Sequence, residues 1–224
     1  MVAAPKRILS YVVASDTGLA PNVTGGICTL AVCKPNIRAH AEPGDWIVGM
    51  SKASHGRQKM IYAMQVDEKI SYDQFFHDPR FEQKKPTYQA KGDNFFHAHA
   101  DGYRMAFRSA AHADKPEAIA RDLKVPEVLV GHHFWYFGAN APTLPESLSE
   151  TRIALPDATR RGHRVTTNSD VIFTFTDWIG QWEPGIHGTP RDSKSSQLVR
   201  SERVVRPPNP ESSCANASSN DRSP

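Results

Sequence analysis

The sequence predicts an α+β domain, a small bent or barrel-like mixed sheet carrying several short helices. Three observations point there. Short apolar runs recur between clusters of Gly, Pro, Asn and Asp, as strands do between turns. Helix-start signals are few, and each opens only a short periodic stretch. Strand and helix patterns do not alternate in βαβ fashion, and neither GxGxxG nor GxxxxGK[ST] occurs, which argues against a doubly wound nucleotide-binding fold.

Taken in order, residues 7–14 (RILSYVVA) form a buried strand, and residues 15–26 (SDTGLAPNVTGG) a structured loop. Residues 27–32 give a short strand. Pro35 opens a short helix (PNIRAHA), where its fixed φ suits the first helical position. After the Pro43-Gly44-Asp45 turn, residues 46–50 and 59–66 are strands joined by a polar loop in a hairpin-like pair. Ser71 and Gln74 have capping-box spacing before a helix over 72–78, stopped by Pro79; Asp114 and Glu117 have it before a helix over 115–123. Residues 126–138 (PEVLVGHHFWYFG) read as one apolar strand. Residues 170–182 fit helix through Ile172, Phe175, Ile179 and Trp182, although Val171, Phe173 and Phe175 also alternate as in a strand.

Composition bounds the function. Of 224 residues 39% are hydrophobic, with 4 Trp, 10 Phe and 6 Tyr, enough apolar material for a core. No run approaches the roughly 18 apolar residues of a membrane helix, and the first apolar run is too short for a secretory signal. Three cysteines, Cys28, Cys33 and Cys214, do not make a disulfide scaffold, so the expected compartment is the cytoplasm. The net charge of +3 excludes a protein that holds nucleic acid by a broad basic surface; any such binding is through a local site. The expected domain spans residues 1–190. Residues 191–224, rich in Ser and Pro, read as a disordered tail.

Several clusters are unusual: DTGLAPN at 16–22, CTLAVCKPNIR at 28–38 and GDWIVG at 44–49. DPRF at 78–81, KGDN at 91–94, VLVGHHFWYFG at 128–138 and GIHGTP at 185–190 extend them. Together they resemble the nucleotide modification associated domain 2 family of bacterial and phage systems linked to DNA-base modification. The likeness covers nearly all of residues 8–190. More distantly, GDWIVG, a loop and KMIYAMQVDE resemble the glycine–aspartate turn and strand pair of PUA-like domains such as EVE and ASCH. Those are small β-barrels, several of which bind RNA or modified bases. The resemblance implies recognition of a nucleotide or of a modified base in DNA, with DNA-modification enzymes as partners. It names no cofactor.

The chemistry-bearing residues admit two uses each. Cys28 and Cys33 (C-x4-C), with His97 and His99 or His132 and His133, do not make a common zinc knuckle. Adjacent His132 and His133 would point to opposite faces of a strand, so no metal is expected. Cys33, before Lys34 and Pro35 at a helix start, is a candidate nucleophile or else a structural thiol. Lys34 and Arg38, four apart, would share a helix face and clamp a phosphate, or form a solvated basic face. Asp16, Asn22, Asp93 and Asn94 suit the polar edges of a base, Asp16 and Asp93 also a general-base role, and all suit turn formation. Phe95, beside the GDN segment, is the candidate for stacking on a base. Residues 97–112 (HAHADGYRMAFRSAAH) read as a lid or an exposed connection. Three functions follow: recognition of a nucleotide or modified base, an enzyme acting through Cys33 or Asp16/Asp93, or a non-catalytic interaction subunit.

Overall fold

The computed structural model describes residues 6–52, 58–87, 91–109, 116–151, 153, 162–192 and 198–205. The first half contains β1 (Ile8–Val13), β2 (Cys28–Leu30), α1 (Pro35–His40), β3 (Trp46–Ser51), β4 (Met60–Gln65), β5 (Glu68–Ser71) and α2 (Tyr72–His77). There follow β6 (Phe96–His99), β7 (Gly102–Ser109), α3 (Pro116–Leu123), β8 (Glu127–Gly131), β9 (Phe134–Tyr136) and α4 (Glu146–Ser149). The chain continues through β10 (His163–Thr166), α5 (Ser169–Ile179), β11 (Gly185–Ile186) and β12 (Leu198–Val205).

The domain is α+β, as expected, but no barrel closes among the described residues. The strands form a six-stranded sheet in the order β10-β1-β3-β4-β9-β11 and two three-stranded sheets, β2-β8-β5 and β12-β7-β6. The six-stranded sheet is mixed: β1 and β3 run parallel, as do β9 and β11, and the other neighbours are antiparallel. Side-chain alternation gives it two buried faces. Ile8, Trp46, Val48, Ala63 and Trp135 pack with Ile172, Phe175, Trp178 and Ile179 of α5. Leu9, Tyr11, Ile47, Tyr62, Met64 and Tyr136 pack with Cys28, Leu30, Ile37 and Leu129. Beyond β8, Val128 and Val130 meet a third cluster that includes Tyr72, Phe75, Phe81, Phe95, Phe96 and Ile119.

Helix starts follow the local signals. Ser71 Oγ accepts from the Gln74 amide at 3.1 Å and Gln74 Oε1 from the Ser71 amide at 2.9 Å, the reciprocal capping box. Asn168 Oδ1 accepts from the amides of Asp170 and Val171 and fixes the start of α5, with Ile172, Phe175 and Ile179 on its buried face.

The single strand expected over 126–138 is two strands in two sheets. β8 pairs with β2 and β5, while β9 pairs with β4 and β11. The chain changes sheet at His132 and His133: Asp67 Oδ2 accepts the His132 amide at 2.6 Å, and the Gln65 amide donates to the His133 carbonyl at 3.0 Å. Gly131 permits the crossing, because a Cβ there would lie 2.5 Å from the Gln65 carbonyl oxygen. Of residues 97–112, read as a lid or connection, 97–109 belong to the β6–β7 hairpin, and 110–112 lie with 113–115 outside the described residues.

The boundary set at Pro190 does not coincide with the last element. Leu198–Val205 forms β12, antiparallel to β7, with an irregularity between Arg200 and Arg203. An unpaired edge of β7 supplies the backbone donors and acceptors that a composition argument does not weigh. The remainder of the tail, residues 206–224, lies outside the described residues.

Candidate functional site

Cys33 and Lys34 both have left-handed backbone, with φ of 61° and 45°. For residues with a Cβ this conformation costs roughly 1–2 kcal/mol each. It persists where the surroundings over-determine it, and such positions cluster at functional sites. Here the Cys33 amide donates to Asp122 Oδ1 at 2.7 Å, and the Cys33 carbonyl accepts from Arg38 Nε at 2.9 Å. Pro35 then starts α1.

Lys34 and Arg38 do not form one clamp. Arg38 is fully buried. Its guanidinium donates to four carbonyls: Cys33 through Nε, Val125 and Glu127 through Nη1 (Glu127 at 2.7 Å), and Asp122 through Nη2 at 3.0 Å. It is a strut tying α1 to α3 and β8, with its donors turned inward. Lys34 is half-buried. Its Nζ donates to the Val12 carbonyl at 3.1 Å and lies 4.5 Å from the centre of the Tyr11 ring. Burial pulls its pKa down; Cys33 opposes this and Arg121 adds to it.

The strand register brings further groups to this turn. His163 on β10 is the partner of Tyr11, the residue whose ring carries Lys34. The His40 and His163 rings stack with centres 6.5 Å apart. Burial lowers the His163 pKa, and His40 and Lys34 lower it further. Beneath, the Tyr11 and Tyr62 hydroxyls are 2.8 Å apart, and burial pushes both phenols well up, so they stay protonated. Lys34, Arg121, His40 and His163 thus crowd positive or protonatable groups around one strained turn with a half-buried thiol. Such a cluster can hold an anion.

The second group of expected site residues comes together elsewhere, in the interior. Asn22 donates to the Gly18 and Lys91 carbonyls at 3.0 and 2.8 Å and accepts from the Thr24 amide. Buried Lys84 donates from Nζ to the Asn22 carbonyl, to Asn22 Oδ1 at 3.0 Å and to the Ile27 carbonyl. Thr29 Oγ1 donates to Asp93 Oδ2 at 2.7 Å. Burial pushes the Asp93 carboxyl up to about 6, against the pull of the Lys84 ammonium and the Thr29 hydroxyl. Burial likewise lowers the Lys84 pKa, opposed by Asp93. Asn94 donates to the Phe75 carbonyl at 2.8 Å. Phe95 does not offer a stacking face: it is 1% exposed and packs against Phe96 in the core. An apolar neighbourhood on both sides buries it, which a position beside a polar GDN segment does not reveal.

Asp16 is a clasp. Tyr136 donates to its Oδ1 at 2.6 Å and the Arg191 amide to its Oδ2 at 3.1 Å. The Asp16 amide donates to Asp192 Oδ2, and the Asp192 amide to the Asp16 carbonyl. Gly18, with φ of 77°, leaves room for Pro190, whose Cγ would lie 2.8 Å from a Cβ there. Both carboxylate oxygens are committed, which opposes a general-base role. Cys28 is buried in the core beside Leu30, its thiol pushed up to about 12 by burial.

Sequence reasoning missed Lys84, His163 and Arg121. Lys84 stands in a Lys-Lys pair that looks solvated, and His163 reaches the turn only through pairing of strands far apart in the chain.

The fold is that of an α+β domain with three sheets among the described residues. The chain belongs to the nucleotide modification associated domain 2 family, whose model matches residues 5–197. Among curated proteins and solved structures nothing matches. The domain is therefore one associated with nucleotide modification systems, and among the described residues no helix is long and apolar enough to cross a membrane.

Proposed function

We propose that this domain recognises a nucleotide or a modified base in DNA, holding a phosphate at the Cys33–Lys34 turn. The observation that carries the reading is the convergence of Lys34, Arg121, His40 and His163 on a backbone held in left-handed conformation. Besides burial, Arg121 lowers the Lys34 pKa, and His40 and Lys34 lower that of His163; an anionic ligand relieves that repulsion. The net charge of only +3 suits a local site of this kind. The β3–β4 pair, entered through a Gly-Asp turn like that of PUA-like domains, accords with base recognition. Arg38, Asn22, Asp93 and Asn94 then serve as the frame of the site, and Asp16 as its clasp.

The test is binding of nucleoside monophosphates and of short duplexes with unmodified or hydroxymethylated bases, at two salt concentrations. Saturable binding weakened about tenfold in Lys34→Ala supports the reading, with each lost phosphate contact also lowering the salt slope. Equal binding by Lys34→Ala and Arg121→Ala, or no binding at all, ends it.

A second reading rests on Cys33. A half-buried thiol in a strained turn beside an ammonium has the placement of a nucleophile that tailors a nucleotide. Rapid alkylation of Cys33 at neutral pH, with loss of turnover in Cys33→Ser, would favour it over binding alone. Enzymes of DNA modification are the partners either reading implies.

A further inference from the structure

Away from that turn, α2 and β6 bring two imidazoles and a carboxylate together. Asp73 and His77 are one turn apart on α2, and His97 lies on β6. One ligand atom from each of the three lies within 4.8 Å of the other two. His77 Nε2 is 3.5 Å from Asp73 Oδ1. Ligand atoms around a tetrahedral ion with bonds of ~2.0–2.1 Å stand about 3.3 Å apart. The first pair is therefore near its bound spacing, and small side-chain rotations would close the rest.

The groups around the triad orient it. The Phe76 ring lies 4.5 Å from that of His97, tilted by 32°, and 5.2 Å from that of His77. His97 Nδ1 is 3.1 Å from the Ala98 carbonyl, which can only accept, so Nδ1 donates and Nε2 keeps the lone pair. A ligating histidine is commonly held in this way. Asp73 Oδ1 accepts the Ala98 amide at 2.9 Å, which fixes the carboxylate against β6. Asp73 and His77 are about half-exposed or more, so water can complete the coordination.

We infer that Asp73, His77 and His97 bind one divalent transition ion of the zinc class, which staples α2 to the β6–β7 hairpin. Two imidazoles and one carboxylate suit Zn²⁺, Co²⁺, Ni²⁺ or Cu²⁺ and do not suit Mg²⁺ or Ca²⁺, which prefer oxygen alone. The site uses no cysteine, so the C-x4-C spacing of Cys28 and Cys33 does not point to it. His97 lies about twenty residues from the helical pair, on another element.

The full chain, stripped with chelator, is titrated with zinc chloride by calorimetry and with cobalt(II) by visible absorption. One equivalent is expected, with a higher melting temperature in the presence of zinc. His77→Ala, His97→Ala and Asp73→Asn should each weaken uptake by about tenfold or more. His132→Ala, which removes an exposed imidazole beside Glu68, should not. Asp73→Asn retains an oxygen for the Ala98 amide, and the His77 side chain is largely exposed. These two variants decide the matter if His97→Ala fails to fold. Undiminished zinc uptake by His77→Ala and Asp73→Asn, or no saturable uptake by the unaltered chain, overturns the site.

Discussion

Arg38 and Asp122 are joined twice: Arg38 Nη2 donates to the Asp122 carbonyl at 3.0 Å and lies 3.6 Å from its carboxylate Oδ1. The same oxygen accepts the Cys33 amide at 2.7 Å. One buried ion pair therefore fixes the end of α1, the end of α3 and the strained turn between β2 and α1. The pairing explains how two consecutive non-glycine residues remain left-handed.

Arg38→Lys should accordingly be destabilising in spite of its retained charge. A lysine has three donors on one nitrogen and cannot span four carbonyls set out by a planar fork. The cost is about 1–3 kcal/mol for each of the carbonyls of Cys33, Val125, Glu127 and Asp122 that loses its donor and is left buried and unsatisfied. Urea unfolding followed by near-ultraviolet circular dichroism measures it, and a change below about 1 kcal/mol would contradict the role assigned to the guanidinium.

Local signals made much of the fold legible in the sequence. The Ser71–Gln74 capping box, Pro35 at a helix start and the apolar face of α5 are each settled within a few residues, and each is present. What escaped depends on distant partners. The two strands within 126–138 separate because Asp67 and Gln65 capture the backbone at the two histidines. Of the expected site, Cys33 and Lys34 are half-buried. Arg38, Asn22, Asp93, Asn94 and Phe95 are polar or aromatic residues that the core absorbs. A sequence reports that a side chain has hydrogen-bonding capacity but not whether protein atoms consume it.

Asp93 should make stability depend on pH in an unusual sense for a carboxylate. Its folded pKa, about 6, lies above the ordinary 3.8, so the native state holds the proton more tightly than the unfolded chain. The contribution is fully present below about pH 4 and is lost as pH rises through about 6, on the order of 3 kcal/mol at ~1.4 kcal/mol per pH unit. Asp93→Asn keeps an acceptor for Thr29 and removes this titration. The stability of the unaltered chain relative to that variant should therefore grow as pH falls from 7 to 4. A pH-independent difference would show that Asp93 stays ionised throughout.

His163 offers a direct readout of anion binding at the turn. Burial, His40 and Lys34 hold its pKa below the ordinary 6.5. A bound anion offsets the repulsion from Lys34 and should raise it. By linkage, affinity should then rise as pH falls through the region below 6.5. A dinucleotide is the suitable probe, because its phosphodiester keeps one charge across that range. Histidine ring signals followed by NMR with and without the dinucleotide give both pKa values. An unmoved His163, with binding elsewhere, would relocate the site.

Truncation separates the clasp at Asp16 from the rest of the chain. Ending the protein after Pro190 removes the Arg191 and Asp192 amides and the Asp192 carboxylate that bind Asp16, and also the whole of β12. Three hydrogen bonds at about 1 kcal/mol each are lost, and the Asp16 oxygen freed from Arg191 is left with its desolvation cost. The edge of β7 is uncovered at the same time, and an open edge pairs with other chains. The truncated protein should melt at lower temperature and elute from size exclusion with a concentration-dependent larger species. A chain ending at Val205 keeps the clasp and β12, so it should behave as the full protein does. Equal melting and elution for the two truncations would mean that neither the Asp16 clasp nor β12 contributes to the stability of the domain.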